Sequence, residues 1–99
     1  MDELPALVEE AAAYGPVVVF HSAVIAYLEA ADRDRFVELV TGLVADGACR
    51  WLSNEAPQVL PSVSATAPDG TEEPGTFVLG IDGVARARTH GHGAAMRVL

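Results

Sequence analysis

The chain has 99 residues, 51% of them hydrophobic, and fourteen acidic side chains against six arginines and no lysine, for a formal net charge of −8. That is one domain with enough apolar content for a real core, and the scattered arginines (33, 35, 50, 86, 88 and 97) provide no basic stripe for nucleic acid. The lone Cys49 excludes a disulfide framework and a Cys-based zinc cage, no apolar run approaches the ~20 residues of a membrane span, and the acidic start Met1-Asp2-Glu3 is unlike a secretory signal, so the expected location is the cytoplasm.

Residues 3–14 read as a helix, because Leu4, Leu7, Val8, Ala11 and Ala12 recur at helical spacing and Gly15-Pro16 ends the run. A strand is expected over 17–21. Its Val17-Val18-Val19-Phe20 run lacks alternation, the pattern of a strand buried on both faces. Ala23 to Leu28 reads as a short helical turn. A helix over 32–46 follows, capped by Asp32 or the residues just before it, with an apolar stripe from Phe36 to Val44 and Gly47 at its end. A second strand covers 48–53, which completes a βαβ unit with parallel strands.

The stretch 54–75 holds Pro57, Pro61, Pro68 and Pro74 and reads as a long irregular loop. Residues 76–90 form a hairpin about Asp82-Gly83, a dipeptide suited to two positive φ angles, and 94–99 can close as a final strand. The fold class is α/β: a small mixed sheet with one parallel βαβ unit followed by an antiparallel hairpin or meander, half of a doubly wound domain. The expected core is Val17, Val19, Val24, Leu28, Phe36, Leu39, Val40, Leu43, Trp51, Phe77, Leu79 and Ile81. Cys49 reads as a small buried hydrophobe, and Arg86 and Arg88 read as the solvent face of the hairpin.

Two polar pairs follow the two parallel strands, His21-Ser22 and Asn54-Glu55. Ligands bind beyond the carboxyl ends of strands in open parallel sheets, so His21 is a candidate general base or donor, with Glu55 or Asn54 orienting it or a substrate. The plainer reading is that these residues satisfy buried backbone groups at strand ends. A Ser22–His21–Glu55 triad is disfavoured, because adjacent strand residues point to opposite faces. His90 and His92 are half a zinc site at i, i+2 spacing, which Cys49 or Glu55 would have to complete, and the glycines around them argue for a turn instead.

The motifs Phe20-His21-Ser22-Ala23-Val24, Tyr27-Leu28, Arg50-Trp51-Leu52-Ser53-Asn54-Glu55 and His92-Gly93, in this order, resemble the bacterial family catalogued as domain of unknown function 2332. The resemblance runs from about Tyr14 to Leu99. Members of that family are several times longer, so the resemblance implies a carboxyl-terminal part. Two departures stand out: His90-Gly91 where the family tends to have Asp-Pro, and Ala95 and Val98 where it has bulky aromatics. The order of elements is also similar to the second half of class I methyltransferases. In those enzymes the glycine-rich cofactor loop and the acidic ribose-binding residue belong to the first half, and neither is present here, so no cofactor is expected. The resemblance therefore implies a truncated or split remnant without independent catalysis, its amino-terminal half encoded separately. The alternative is a self-associating module that binds a protein partner through 54–75. Either way the strand at 17–21 loses a neighbour and becomes an apolar edge, from which a homodimer is expected.

Overall fold

A computed structural model describes residues 3–67, 76–90 and 96–98. The elements in chain order are α1 (Leu4–Ala12), β1 (Val18–Ser22), a single 3-10 turn (Ile25–Tyr27), α2 (Ala30–Ala45), β2 (Arg50–Glu55), α3 (Pro61–Ser64), β3 (Thr76–Ile81), β4 (Val84–His90) and β5 (Met96–Val98). The strands form one five-stranded sheet in sequential order, β1-β2-β3-β4-β5. β1 and β2 are parallel and every other pairing is antiparallel. The architecture is mixed α/β, with a parallel βαβ unit leading into a meander.

Local chemistry explains where α2 begins and ends. It starts at Ala30, two residues earlier than the sequence suggests, because the Glu29 carbonyl accepts the Arg33 N–H at 2.9 Å. The Arg33 guanidinium also reaches back to the carbonyls of Leu28 and Ala26, which ties the 3-10 turn to the helix. At the other end Gly47 adopts φ +73°, and the N–H groups of Gly47 and Ala48 close on the carbonyls of Val44 and Leu43. That is a Schellman stop, which needs a residue free of Cβ strain.

The stretch expected as an irregular loop from 54 is partly ordered. Asn54 and Glu55 extend β2, and Pro61–Ser64 form α3. Val59, Leu60 and Val63 are buried there and belong to the main core with Ile25, Phe36, Val40, Trp51 and Val78. Their short spacing between prolines hides any period, so a packed turn of helix reads as a loop.

Strand register sorts the side chains onto two faces, since directly paired residues project to the same side. Val19, His21, Trp51, Ser53, Glu55, Val78 and Gly80 share the face that α2 and α3 cover, where the Phe36 ring meets His21 and Trp51. Gly80 is required on this face: a Cβ there would lie 2.7 Å from both Ser53 Oγ and Val63 Cγ1. The opposite face carries Val18, Phe20, Leu52, Leu79, Ile81 and Phe77.

Three expectations are corrected by this sorting. Phe77, Leu79 and Ile81 are only half-buried, because the covered face of β3 is the alternate one with Thr76, Val78 and Gly80. Val24 is 52% exposed, having left the sheet before the 3-10 turn. β1 is not buried on both faces: Val18 and Phe20 are 58% and 60% exposed, and among the described residues it pairs only with β2. A further correction concerns β4, where Arg88 is buried beside Val78 while Arg86 is exposed. A register shift at Leu79/Gly80 inserts Arg86 as an extra residue. Such a bulge switches the alternation beyond it.

The Asp82-Gly83 turn does more than reverse the chain. Both residues have positive φ, +52° and +87°. Asp82 Oδ1 accepts the Trp51 N–H at 2.7 Å, its own N–H donates to the Trp51 carbonyl at 2.7 Å, and Oδ2 accepts from Arg50 Nε at 2.6 Å. The turn thereby clamps the start of β2. The Trp51 N–H, and after it the Arg50 guanidinium, hold the Asp82 carboxyl below its usual range against an opposing effect of burial. A lowered folded-state value means that the clamp stabilises the fold above the carboxyl's unfolded value and that this is lost as pH falls through the folded one. Asp82→Asn keeps a residue tolerant of positive φ and removes the charge. It should cost about 1–2 kcal/mol near neutrality, and thermal melts across the acidic range should show a shallower pH dependence than the parent.

Candidate functional site

The four polar candidates at the carboxyl ends of β1 and β2 separate into two pairs on opposite faces of the sheet. The register couples His21 with Ser53 and Ser22 with Asn54. Period-two alternation then sends His21 and Glu55 to the covered face and Ser22 and Asn54 to the open one.

On the covered face, His21 Nδ1 lies 2.7 Å from Glu55 Oε2, and Trp51 Nε1 donates to His21 Nε2 at 2.9 Å. The other face of the carboxylate is met by backbone: the N–H of Ile25 donates to Oε1 at 3.2 Å and that of Val24 to Oε2 at 3.4 Å. Ala23 makes this possible. Its φ of +57° turns the chain sharply after β1, while its N–H still bonds the Asn54 carbonyl at 3.0 Å. A non-glycine residue in that region costs about 1 kcal/mol, and the two N–H groups delivered to a buried carboxylate offset it. The Phe36 ring stands edge-on to the imidazole, with centroids 5.2 Å apart.

This geometry assigns the protons. An indole nitrogen can only donate, so Nε2 of His21 presents its lone pair to Trp51 and the ring proton sits on Nδ1, facing Glu55. His21 is therefore a neutral imidazole with both nitrogens engaged, and it is 8% exposed, with Trp51 at 2% and Glu55 at 1%. The cluster satisfies the polar groups gathered there and ties the turn after β1 to the end of β2.

On the open face, Asn54 Nδ2 donates to Ser22 Oγ at 3.0 Å, and Thr89 Oγ1 donates to Asn54 Oδ1 at 2.8 Å. The three side chains bridge β1, β2 and β4. Ser22 and His21 lie on opposite faces of the sheet, so the structure does not bring these two together.

Sequence reasoning missed Trp51 as the third member of the buried cluster. Its signal was present: Trp51, Ser53 and Glu55 fall at i, i+2 and i+4 of one strand and so share a face. Ser53 Oγ is buried on the same face with no hydrogen-bond partner among the described residues.

Two concavities lie elsewhere. One of about 340 Å³ sits at the amino ends of β1 and β2, lined by Gly15, Val17, Gly47, Cys49, Arg50 and Asp82 among others. Burial, with Asp82 adding to it, pushes the Cys49 thiol up. Another of about 240 Å³ lies between α2 and the chain at Val59–Ser62. None of His21, Ser22, Asn54 and Glu55 lines either. His92 and the side chain of His90 lie outside the described residues. Among the described residues no group of three or more His, Cys, Asp or Glu gathers as for a metal, and no helix is long and apolar enough to cross a membrane.

A bacterial family described as "Uncharacterized protein conserved in bacteria (DUF2332)" matches residues 1–97. The chain belongs to that family. No curated protein and no solved structure matches it. The matched region of the DUF2332 chain includes both polar pairs and Trp51, and starts earlier than the resemblance read from the motifs.

The proton assignment in this DUF2332 chain is open to test. Trp51→Phe keeps an aromatic side chain but removes the indole N–H, so Nε2 of His21 is left unpaired in a closed site, which should cost about 1–3 kcal/mol in addition to the cavity left by the smaller ring. Urea unfolding followed by far-UV circular dichroism measures it, and a cost near zero would show that Nε2 is not the acceptor.

Proposed function

We propose that this chain is a non-catalytic α/β half-domain whose open sheet face and free β1 edge are completed by another polypeptide. The observation that carries the reading is the uncovered face. Val18 and Phe20 are more than half exposed there, Val84 and Val98 are also exposed, and Leu52, Leu79 and Ile81 are half-buried. Sheets of doubly wound domains carry helices on both sides, and a contiguous apolar patch of this kind ordinarily marks an interaction surface. The engaged His21–Glu55–Trp51 cluster supports the absence of independent catalysis.

The order helix, strand, helix, strand, antiparallel hairpin supports reading the chain as the second half of a methyltransferase-like domain. In such domains the cofactor loop and the ribose-binding carboxylate belong to the first half, and this chain carries neither. Partner binding through 54–75 has less support than binding at the open face, because Val59, Leu60 and Val63 of that stretch are committed to the core.

An apolar fluorescent dye tests the surface. The chain should bind it, and Phe20→Ser with Val98→Ser should reduce the signal without loss of far-UV dichroism. No dye binding by the parent would overturn the reading. Calorimetric titration with S-adenosylmethionine should show no measurable binding to this chain alone, and micromolar affinity would contradict the half-domain assignment.

A further inference from the structure

β1 is an edge strand of the sheet. The parallel ladder begins with the Arg50 N–H on the Val17 carbonyl and ends with the Ala23 N–H on the Asn54 carbonyl. With the register Val18↔Arg50 to Ser22↔Asn54, the groups of Val17, Val19, His21 and Ala23 point at β2. Those of Val18, Phe20 and Ser22 point outward. A parallel strand alternates its bonding direction residue by residue, so every second residue of an edge strand offers both its N–H and its C=O to whatever lies beyond.

We propose that the polypeptide completing this edge is a second copy of the chain, paired antiparallel about a two-fold axis at Phe20. The inference rests on the half-domain reading and names its partner at β1. In that register Phe20 meets the partner subunit's Phe20 and Val18 meets the partner subunit's Ser22. Every outward N–H and C=O of the three residues is satisfied. An odd number of outward residues centred on one of them is self-complementary, which an isologous contact demands.

Two further observations converge on the same edge. The large hydrophobic side chains left exposed concentrate around it: Tyr14 before β1, Val18 and Phe20 within it, and Val24 and Tyr27 after it. Antiparallel pairing brings the end preceded by Tyr14 beside the partner subunit's end, the one followed by Val24 and Tyr27. The strand also lacks the devices that normally blunt an edge, having no proline, no lysine and no carboxylate between Val18 and Ser22. Each copy carries a net charge of −8, so repulsion between the bodies opposes the contact and salt should strengthen it.

Sedimentation equilibrium of the parent chain should give a dimer at micromolar concentration, tighter with added salt. Phe20→Lys should weaken it at least about tenfold, the equivalent of one buried unpaired group, while Val98→Lys on the far edge should not. Far-UV dichroism reports whether each variant is folded. In a Cys49→Ala background, Phe20→Cys should give a disulfide-linked dimer on mild oxidation, since paired Cα atoms lie within bridging distance, and Val98→Cys should not. A dimer that Val98→Lys breaks and Phe20→Lys does not would overturn the assignment of the edge. A monomeric parent that binds the apolar dye overturns self-pairing and leaves the half-domain reading standing, whereas a monomer that binds no dye overturns both.

Discussion

The carboxylate of Glu55 is the constraint around which the carboxyl end of the sheet is built. It is nearly inaccessible to water and is met by an imidazole N–H and two backbone N–H groups. A buried charge without such donors would cost several kcal/mol. Its neighbours accordingly take unusual forms. Ala23 adopts a left-handed conformation, the 3-10 turn starts where its N–H groups can reach the carboxylate, and His21 is held in one tautomer by Trp51. The His21–Glu55 pair thereby joins two segments distant in sequence.

That pairing has a consequence for where chemistry could occur. His21 and Glu55 are hydrogen-bonded to each other on the covered face, and Ser22 and Asn54 to one another on the open one, so among the described residues the four do not converge on a common point. The rim of the parallel pair is polar, as such rims are in ligand-binding sheets, yet here the polarity is spent internally. The chain's unspent capacity is apolar and lies on the uncovered face and along β1, which is the reason to look for a partner surface before a substrate.

Sheet layering and edge pairing act independently. Helices α2 and α3 cover one face because Phe36, Val40 and Val63 fit among Trp51, Val78 and Gly80. Nothing among the described residues performs that task on the other side. Pairing at β1 satisfies backbone groups and would extend the same open face across two copies. The face itself would then remain available to a further layer.

The sequence by itself determined the alternation of helices and strands, the parallel βαβ unit and the hairpin at Asp82-Gly83. These rest on local physics: helical spacing, runs of β-branched residues, and the few residues that tolerate positive φ. It also placed His21, Ser22, Asn54 and Glu55 at one rim, because strand ends can be read locally. Only the tertiary structure decided which of them face each other, since that depends on strand register. A shift of one residue exchanges the faces of every side chain. Register likewise chose Val78 over Phe77 and Leu79 for the core, and the bulge at Leu79/Gly80 turned Arg88 inward. The partner of His21 Nε2, an indole N–H from a different strand, was likewise decided only by the tertiary structure.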